Sequence, residues 1–521
     1  MNEKQFEKYN NISSEKFEIV TEFNSHDKKL ETKPVGYFKD AFRRFCRNKA
    51  SVIAAIIIIF LILFSLVGPL ISKYDNSFND INVSYYLPKS EAFSWLGWDG
   101  YKKTEIAKTD YIEYMGIEQE TGEKVLGKVY DSFSTETTIG PLKYTNTYYN
   151  VDVNSYTKSV MKFVQLTRAD YEKLQAYQDE HQVQIIYPAV TEKDQDDLNK
   201  DNANLWYKVQ TKGTNRGMPV GYTSKDEAED VVLQNDYIKY TGTDNYTSSM
   251  RIEENGEKLY NYAIKKQGGS YLVRVNYNKY FAYKNNGDEP CFLFGSDQFG
   301  RDIFVRLASG ARFSLIFAVC IAAINLFIGA IYGAIEGYYG GVADLAMERF
   351  SDILSGVPFM VVVTLFKLHI MDKVGTIPTL LFAFVLTGWI GMAANTRMQF
   401  YRYKNQEYVL AARTLGASDR RIMFKHIFPN AIGTLITSSV LVIPGVIFSE
   451  SSLSYLGIVN LNTSTTTSVG TMMASARGSL ATFPHIILFP ATFIALLMIT
   501  FNLFGNGLRD AFNPSLRGTE E

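Results

Sequence analysis

The chain has 521 residues and a formal net charge of −1, too long for one ordinary domain and too evenly charged for a nucleic-acid binder. Cys46, Cys291 and Cys320 lie far apart, which excludes a disulfide framework and a metal-ligand spacing; each is expected as a free thiol. A near-neutral mean hydropathy hides two polymers. Residues 51–72 and about 314–507 are apolar, whereas 73–290 are polar, charged and rich in Tyr.

Residues 1–35 are dominated by Asn, Glu, Lys and Ser and read as a loosely held cytoplasmic tail. Over 36–50, Tyr37, Phe38, Ala41, Phe42 and Phe45 recur at helical spacing with Lys39, Arg43, Arg44 and Arg47 between them. That pattern predicts an amphipathic helix on the inner membrane surface. Residues 51–72 follow as the first span, since about 22 residues at about 1.5 Å each cover the hydrocarbon core. The run begins too late and is too long for a cleavable signal peptide. The basic residues before it place its start in the cytoplasm and residues 73–313 largely outside.

Residues 73–290 predict an α+β extracellular domain large enough for its own core. Asp170–Gln182 reads as a helix, and Ser224-Lys225-Asp226-Glu227 has the spacing of a capping box. Lys258–Lys265 and Ser270–Tyr277 read as strands joined at Gln267-Gly268-Gly269. No catalytic constellation is present, and His181 reads as a solvated helix residue. The tyrosines and Trp95, Trp98 and Trp206 suit either a binding face or a core; core is the expectation for most.

Residues 291–313 predict an external amphipathic segment at the membrane surface. Within it Asp297, Arg301 and Asp302 are expected to pair and cap a turn that, with Gly300, braces the outer gate. Five spans are expected within 314–510: 314–335, 350–368, 378–394, 432–456 and 485–503. Gly337–Gly341 reads as a tight cytoplasmic turn. Pro358 and Pro444 predict helix kinks. Glu450 is expected near the outer end of its span, either hydrogen-bonding a partner subunit or lining the outer cavity. Residues 511–521 form a second cytoplasmic tail.

Between the fourth and fifth spans, residues 401–430 form a basic insert on the cytoplasmic side. Within 407–429 the pattern predicts a short helix, a small-residue turn at Leu415-Gly416-Ala417-Ser418 and a second basic helix stopping at Pro429. Small Ala411, Ala412, Gly416 and Ala417 let another surface approach the backbone, and Glu407 and Arg413 are charges able to reach it. The chemistry suits a rigid knob gripped by a cytoplasmic partner, or equally an ordinary basic loop.

Ala411-Ala412, Gly416 and the helix ending in Phe428-Pro429 resemble the coupling loop of ABC importer permeases. The fuller match, with Tyr408, Arg413 and Leu415-Gly416-Ala417-Ser418, is similar to the C-type membrane subunit of oligopeptide and dipeptide importers. Leu410 stands where that family often has Glu, and Phe428 replaces Leu. Further resemblance lies in the opening span after Arg43-Arg44, in Gly295–Asp302 and in Glu450–Gly457. The Thr/Asn/Ser run over 460–468 and the large external domain depart from the family. Phe93–Gly100 resembles the start of the motif completed at Cys291–Asp302, which suggests a domain inserted within one loop.

The resemblance implies an α-helical polytopic membrane protein with the six-helix type I ABC importer permease fold and the α+β domain inserted. It implies a heterodimer with a second permease subunit, two cytoplasmic ATPase subunits, and an extracellular substrate-binding lipoprotein that delivers peptide. This chain has no Gly-x-x-x-x-Gly-Lys-Ser/Thr loop, so it is expected to be no enzyme and to bind no cofactor; ATP and Mg²⁺ would be used by the partner ATPases. A mechanotransmission subunit is the competing class, disfavoured by six spans. A receptor without an ATPase is disfavoured by the coupling stretch. Dipeptides, metal chelates and glycosides are alternative solutes.

Overall fold

The computed structural model describes residues 37–139, 142–187, 263–265, 270–461 and 467–512. The readings of 1–35, Ser224–Glu227, the Gln267–Gly269 turn, Trp206 and 513–521 lie outside the described residues. Helix α1 (Tyr37–Arg47) leads into α2 (Lys49–Ile71), whose start is capped by Asn48 accepting from Ser51 N at 3.3 Å.

The α/β domain follows. Strand β1 (Tyr101–Ala107), helix α3 (Lys108–Thr121) and the long hairpin β2 (Leu126–Ile139) and β3 (Leu142–Asn154) build an antiparallel sheet of order β1-β3-β2. Val125, Val151 and Val153 bury one face with Ile106 and Ile117. Strand β4 (Met161–Leu166), helix α4 (Arg168–His181), β5 (Ile186–Tyr187), β6 (Ala263–Lys265), β7 (Tyr271–Asn276) and helix α5 (Tyr277–Lys284) are the domain's remaining elements among the described residues. β7 is central, pairing antiparallel with β4, β5 and β6, and Lys265 lies opposite Tyr271. Tyr86, Tyr156, Tyr171, Tyr271, Tyr277 and Tyr280 are buried in its core. Their hydroxyls explain how: Tyr86 donates to Asn278 Oδ1 at 3.2 Å, and Tyr156 to Leu87 O at 3.0 Å. His181 is exposed and stacks on Tyr177.

The membrane part is a bundle. α6 (Ile303–Tyr339), 37 residues long, is one continuous helix. Residues 303–313 are therefore not a separate surface segment, as expected for 291–313, but the first turns of this helix. Ile303, Val305, Leu307, Ala308 and Ala311 are buried there, so packing on neighbouring helices replaces the membrane surface. α7 (Gly341–Ser355) and α8 (Phe359–His369) follow, bent by 71°. Pro358 is the residue before α8, so it breaks this span rather than kinking it. Each piece alone is shorter than the roughly 20 residues a span needs.

After α9 (Met371–Val374) come α10 (Thr376–Tyr403), α11 (Glu407–Thr414) and α12 (Asp419–Tyr455). The basic helix after Ser418 does not stop at Pro429. It passes through a π-helical stretch, Ile422–Ile427, directly into the next span. Proline has no N–H to donate and crowds the carbonyl four residues back, and the wider π turn relieves that crowding. Pro444 lies inside the same helix. α13 (Val469–Ser475) and α14 (His485–Phe512) end the described chain. Among the described residues, five helices are long and apolar enough to cross a membrane, or six if the bent pair is one span.

Helices α6 and α10 approach backbone to backbone. A Cβ at Gly333 would lie 2.1 Å from Ala393 O, and one at Gly329 or Gly337 would lie 2.7 Å from the carbonyl of Trp389 or Arg397. Glycines four apart form a stripe that lets the two backbones touch. Helix α1 docks on the far end of α14, where Phe45 meets Phe504 with ring centroids 5.3 Å apart.

The two motif-like segments share a local conformation. Gly97 and Gly295 have φ of +81° and +82°. Asp99 Oδ1 accepts from Tyr101 N at 3.0 Å, and Asp297 Oδ1 accepts from Phe299 N at 2.9 Å. They also pack together, with Trp98 and Phe294 ring centroids 5.9 Å apart.

Candidate functional site

The end of the bundle remote from the α/β domain carries a knob built from α11 and the start of α12. Glu407 lies in the first turn of α11, where a carboxylate complements the helix dipole, and is exposed. Val409 is fully buried and holds the helix down. The helix closes as a Schellman turn: Gly416 N donates to Arg413 O and Ala417 N to Ala412 O, both at 3.0 Å. Gly416 has φ of +80°, and a Cβ added there would meet nothing within 4 Å, so the backbone rather than crowding demands glycine. Ala411, Leu415, Gly416 and Ser418 are exposed or nearly so, and Ala412 and Ala417 half-buried. Leu415 is 88% exposed, with Leu410 at 45% and Tyr408 at 41%. A rigid, capped turn thus presents an uncovered apolar face.

Its underside is fixed to the bundle. Val409, Ile422, Met423 and Ile427 pack with Ala334 and Tyr338 of α6 and Phe400 of α10. The Tyr338 hydroxyl donates to Asp419 Oδ1 at 2.6 Å. Arg413 donates to the Tyr338 hydroxyl at 3.5 Å and lies 5.8 Å from its ring. Arg413, expected as a charge for a partner, touches the chain's own α6 and is still exposed.

Beside the knob, Arg397 of α10 makes a fork to Asp344, at 2.7 and 2.9 Å, and bonds Glu348 at 2.9 Å. Buried Glu336 is 3.7 Å away. Tyr401 also donates to Asp344, and Lys404 to Gly337 O at 2.9 Å. α6, α7 and α10 are thereby clamped at one level. Sequence reasoning missed this clamp and Tyr338. The available signal was the acidic pair Asp344 and Glu348 four residues apart in a segment flanked by apolar runs.

At the opposite end, Asp297 Oδ1 accepts from the backbone N of Phe299 at 2.9 Å and Arg301 at 3.0 Å, while Oδ2 pairs with the Arg301 guanidinium at 2.7 Å. Asp302 caps α6 through Phe304 N at 2.9 Å and accepts from the Ser72 hydroxyl at 3.1 Å, tying α2 to α6. Burial pushes its carboxyl up to about 6, against the opposing pull of these hydrogen bonds. Gly300 has φ of +70°, and a Cβ there would lie 1.7 Å from Asp80 O. These groups are used up inside the chain.

Glu450 departs from both sequence readings. It is 1% exposed and accepts from Ser314 at 3.0 Å and Ser454 at 3.1 Å. Its carboxylate is turned inward, joining α6 to α12, rather than toward an outer cavity or a neighbouring subunit. Ser314, packed across from it, supplies the donor that makes burial tolerable.

Comparison with known proteins matches this architecture. The family model described as binding-protein-dependent transport system inner membrane component covers residues 325–518, and the N-terminal TM domain of oligopeptide transport permease C covers 36–88. The chain is 45% identical over 235 residues to the oligopeptide transport system permease protein OppC of Bacillus subtilis, covering 44% of this chain and 75% of that one. It is 42% identical over 226 residues to the dipeptide transport system permease protein DppC of the same organism, covering 43% and 69%. With the OppC of Haemophilus influenzae the identity is 40% over 233 residues, covering 44% and 72%. The family segments meet in the bundle and its knob, while most of the α/β domain lies between them. The chain therefore belongs to the binding-protein-dependent transport system inner-membrane components, as a C-type permease subunit of the oligopeptide and dipeptide kind.

Proposed function

We propose that this chain is one membrane half of an importer of oligopeptides, moved by separate ATPase subunits that seat on the Gly416 knob. The observation that carries this is the capped turn with Leu415 exposed and its underside bonded to α6. Such a part passes a push on its outer face into the bundle without deforming. The ATP and Mg²⁺ belong to two ATPase subunits, and this chain binds no cofactor of its own. A second, related permease subunit completes the pathway across the membrane lipid.

Both termini lie in the cytoplasm with the knob, and the α/β domain lies outside. The Arg and Lys residues at 402, 404, 420, 421 and 425 support that orientation. An extracellular substrate-binding lipoprotein delivers peptide to the outer face, with the α/β domain as its dock. ATPase closure displaces the knob, and the helices rock as rigid bodies to open the pathway alternately.

The test is receptor-dependent uptake of a labelled peptide mixture by vesicles holding the chain and its co-purifying partners. ATP-dependent uptake that is lost in Gly416→Asp supports the proposal. ATP hydrolysis without uptake of any peptide refutes peptide as the cargo. Deleting residues 100–285 without loss of receptor-dependent uptake refutes the docking role of the domain.

A further inference from the structure

The short 3₁₀ turn Glu91–Leu96 has no buried residue. Trp95 is 77% exposed, Leu96 53% and Phe93 42%. Three large apolar side chains on six residues, all open, are out of place on a water-facing domain. Their depth is set by rings. Phe93 packs on Trp98 at 5.4 Å, and Trp98 lies 5.7 Å from Phe489, in the second turn of α14. Trp98 also meets Phe294, which lies 5.2 Å from Phe304, and Phe304 lies 5.3 Å from Phe64 of α2. Phe64 precedes the end of α2 by about two turns, or about 10 Å. The turn is thus level with the end of α2 and the start of α14, whose Leu70 and Leu488 are also open at 82% and 60%.

We propose that Phe93, Trp95 and Leu96 enter the bilayer interface on the domain-bearing side and anchor the α/β domain to lipid. Indole and phenyl rings at that depth match the aromatic belt of membrane proteins. The backbone fits too. Phe93 N donates to Ser90 O, Gly97 N to Ser94 O and Ser90 N to Trp98 O, at 3.2, 2.9 and 2.9 Å. The Ser94 hydroxyl is spent on Glu91 O at 3.1 Å. Internal pairing of this kind lowers the cost of leaving water. The anchor fixes the tilt of the domain while α14, which Trp98 touches, moves beneath it. This holds whichever way solute travels.

The test places the full chain with its co-purifying partners in nanodiscs made with or without lipid brominated high on the acyl chain. Tryptophan emission of the natural chain minus that of Trp95→Phe isolates residue 95. The expected difference signal is quenched about twofold or more by the brominated lipid and little by iodide in the water, as an interfacial indole should be. Phe93→Trp in the Trp95→Phe background restores the lipid-quenched signal. A difference signal quenched by iodide alone overturns the proposal in favour of a water-facing turn. A signal resisting both quenchers overturns it in favour of cover by a protein partner.

Discussion

Tyr338, at the last turn of α6, donates its hydroxyl to Asp419 at the start of α12, 2.6 Å away and 81 residues on in the chain. The bond joins the knob to a helix of 37 residues that runs the length of the bundle. Arg413 on α11 completes the junction from the other side.

Tyr338→Phe removes a hydrogen bond to a charged group, on the order of 2 kcal/mol. The knob should stay folded on Val409, Ile422 and Ile427, but loosely tied to α6. The expected result is ATP hydrolysis within about twofold of normal with peptide uptake per ATP reduced several-fold. An unchanged ratio would show that the tie does not carry the stroke.

Leu415→Asp should leave the chain's own stability unaltered, because the side chain is 88% exposed. It should nonetheless weaken retention of ATPase subunits during purification by about tenfold or more, as a charge placed in an apolar contact does. Equal co-purification would argue against this face as the seat.

Two glycines should behave oppositely. Gly300→Ala places its Cβ 1.7 Å from the Asp80 carbonyl and is expected to give no monodisperse protein. Gly416→Ala meets open space and costs only the positive φ, about 1 kcal/mol. Its yield should match the natural chain with a slightly lower melting temperature, read by size-exclusion and thermal unfolding in detergent.

Asp302 should make stability fall as pH rises. Its folded carboxyl titrates at about 6, above the ordinary 3.8, because burial disfavours the charge. Between those values the folded chain holds more proton than the unfolded one, so this contribution is full below pH 3.8 and lost through pH 6. Asp302→Asn keeps an acceptor for Phe304 N and should flatten this component. Melting temperatures at several pH values within that window would check it; an equal slope in both proteins would remove Asp302 as the cause.

Arg397→Ala should strip Asp344 and Glu336 of their counter-charge, although they are only 7% and 3% exposed. The loss is on the order of 2 kcal/mol or more. Arg397→Lys should not restore it, since one ammonium cannot make the fork to Asp344. Adding Asp344→Asn to Arg397→Ala should recover part of the melting temperature; no recovery would mean that the clamp is not what the substitution broke.

By itself the sequence determined where the apolar runs lie, which side carries the basic residues, and that Leu415-Gly416-Ala417 turns. Those properties are local: hydropathy over some 20 residues marks a span, and a positive φ selects glycine in place. The Asp297–Asp302 turn was legible for the same reason, since its partners are within five residues of one another. Only the tertiary structure decided the rest. The seam of Gly329, Gly333 and Gly337 on α10 was hidden because lipid-facing and protein-facing positions are equally apolar. The break at Pro358 and the unbroken helix through Pro429 depend on how neighbouring turns absorb a missing N–H. Glu450 reads as a gate residue in the chain, yet Ser314, 136 positions earlier, meets its carboxylate in the fold. Tyr338 and Asp419 carry no mark of each other in the chain, because a hydrogen bond across a helix bundle has no sequence period.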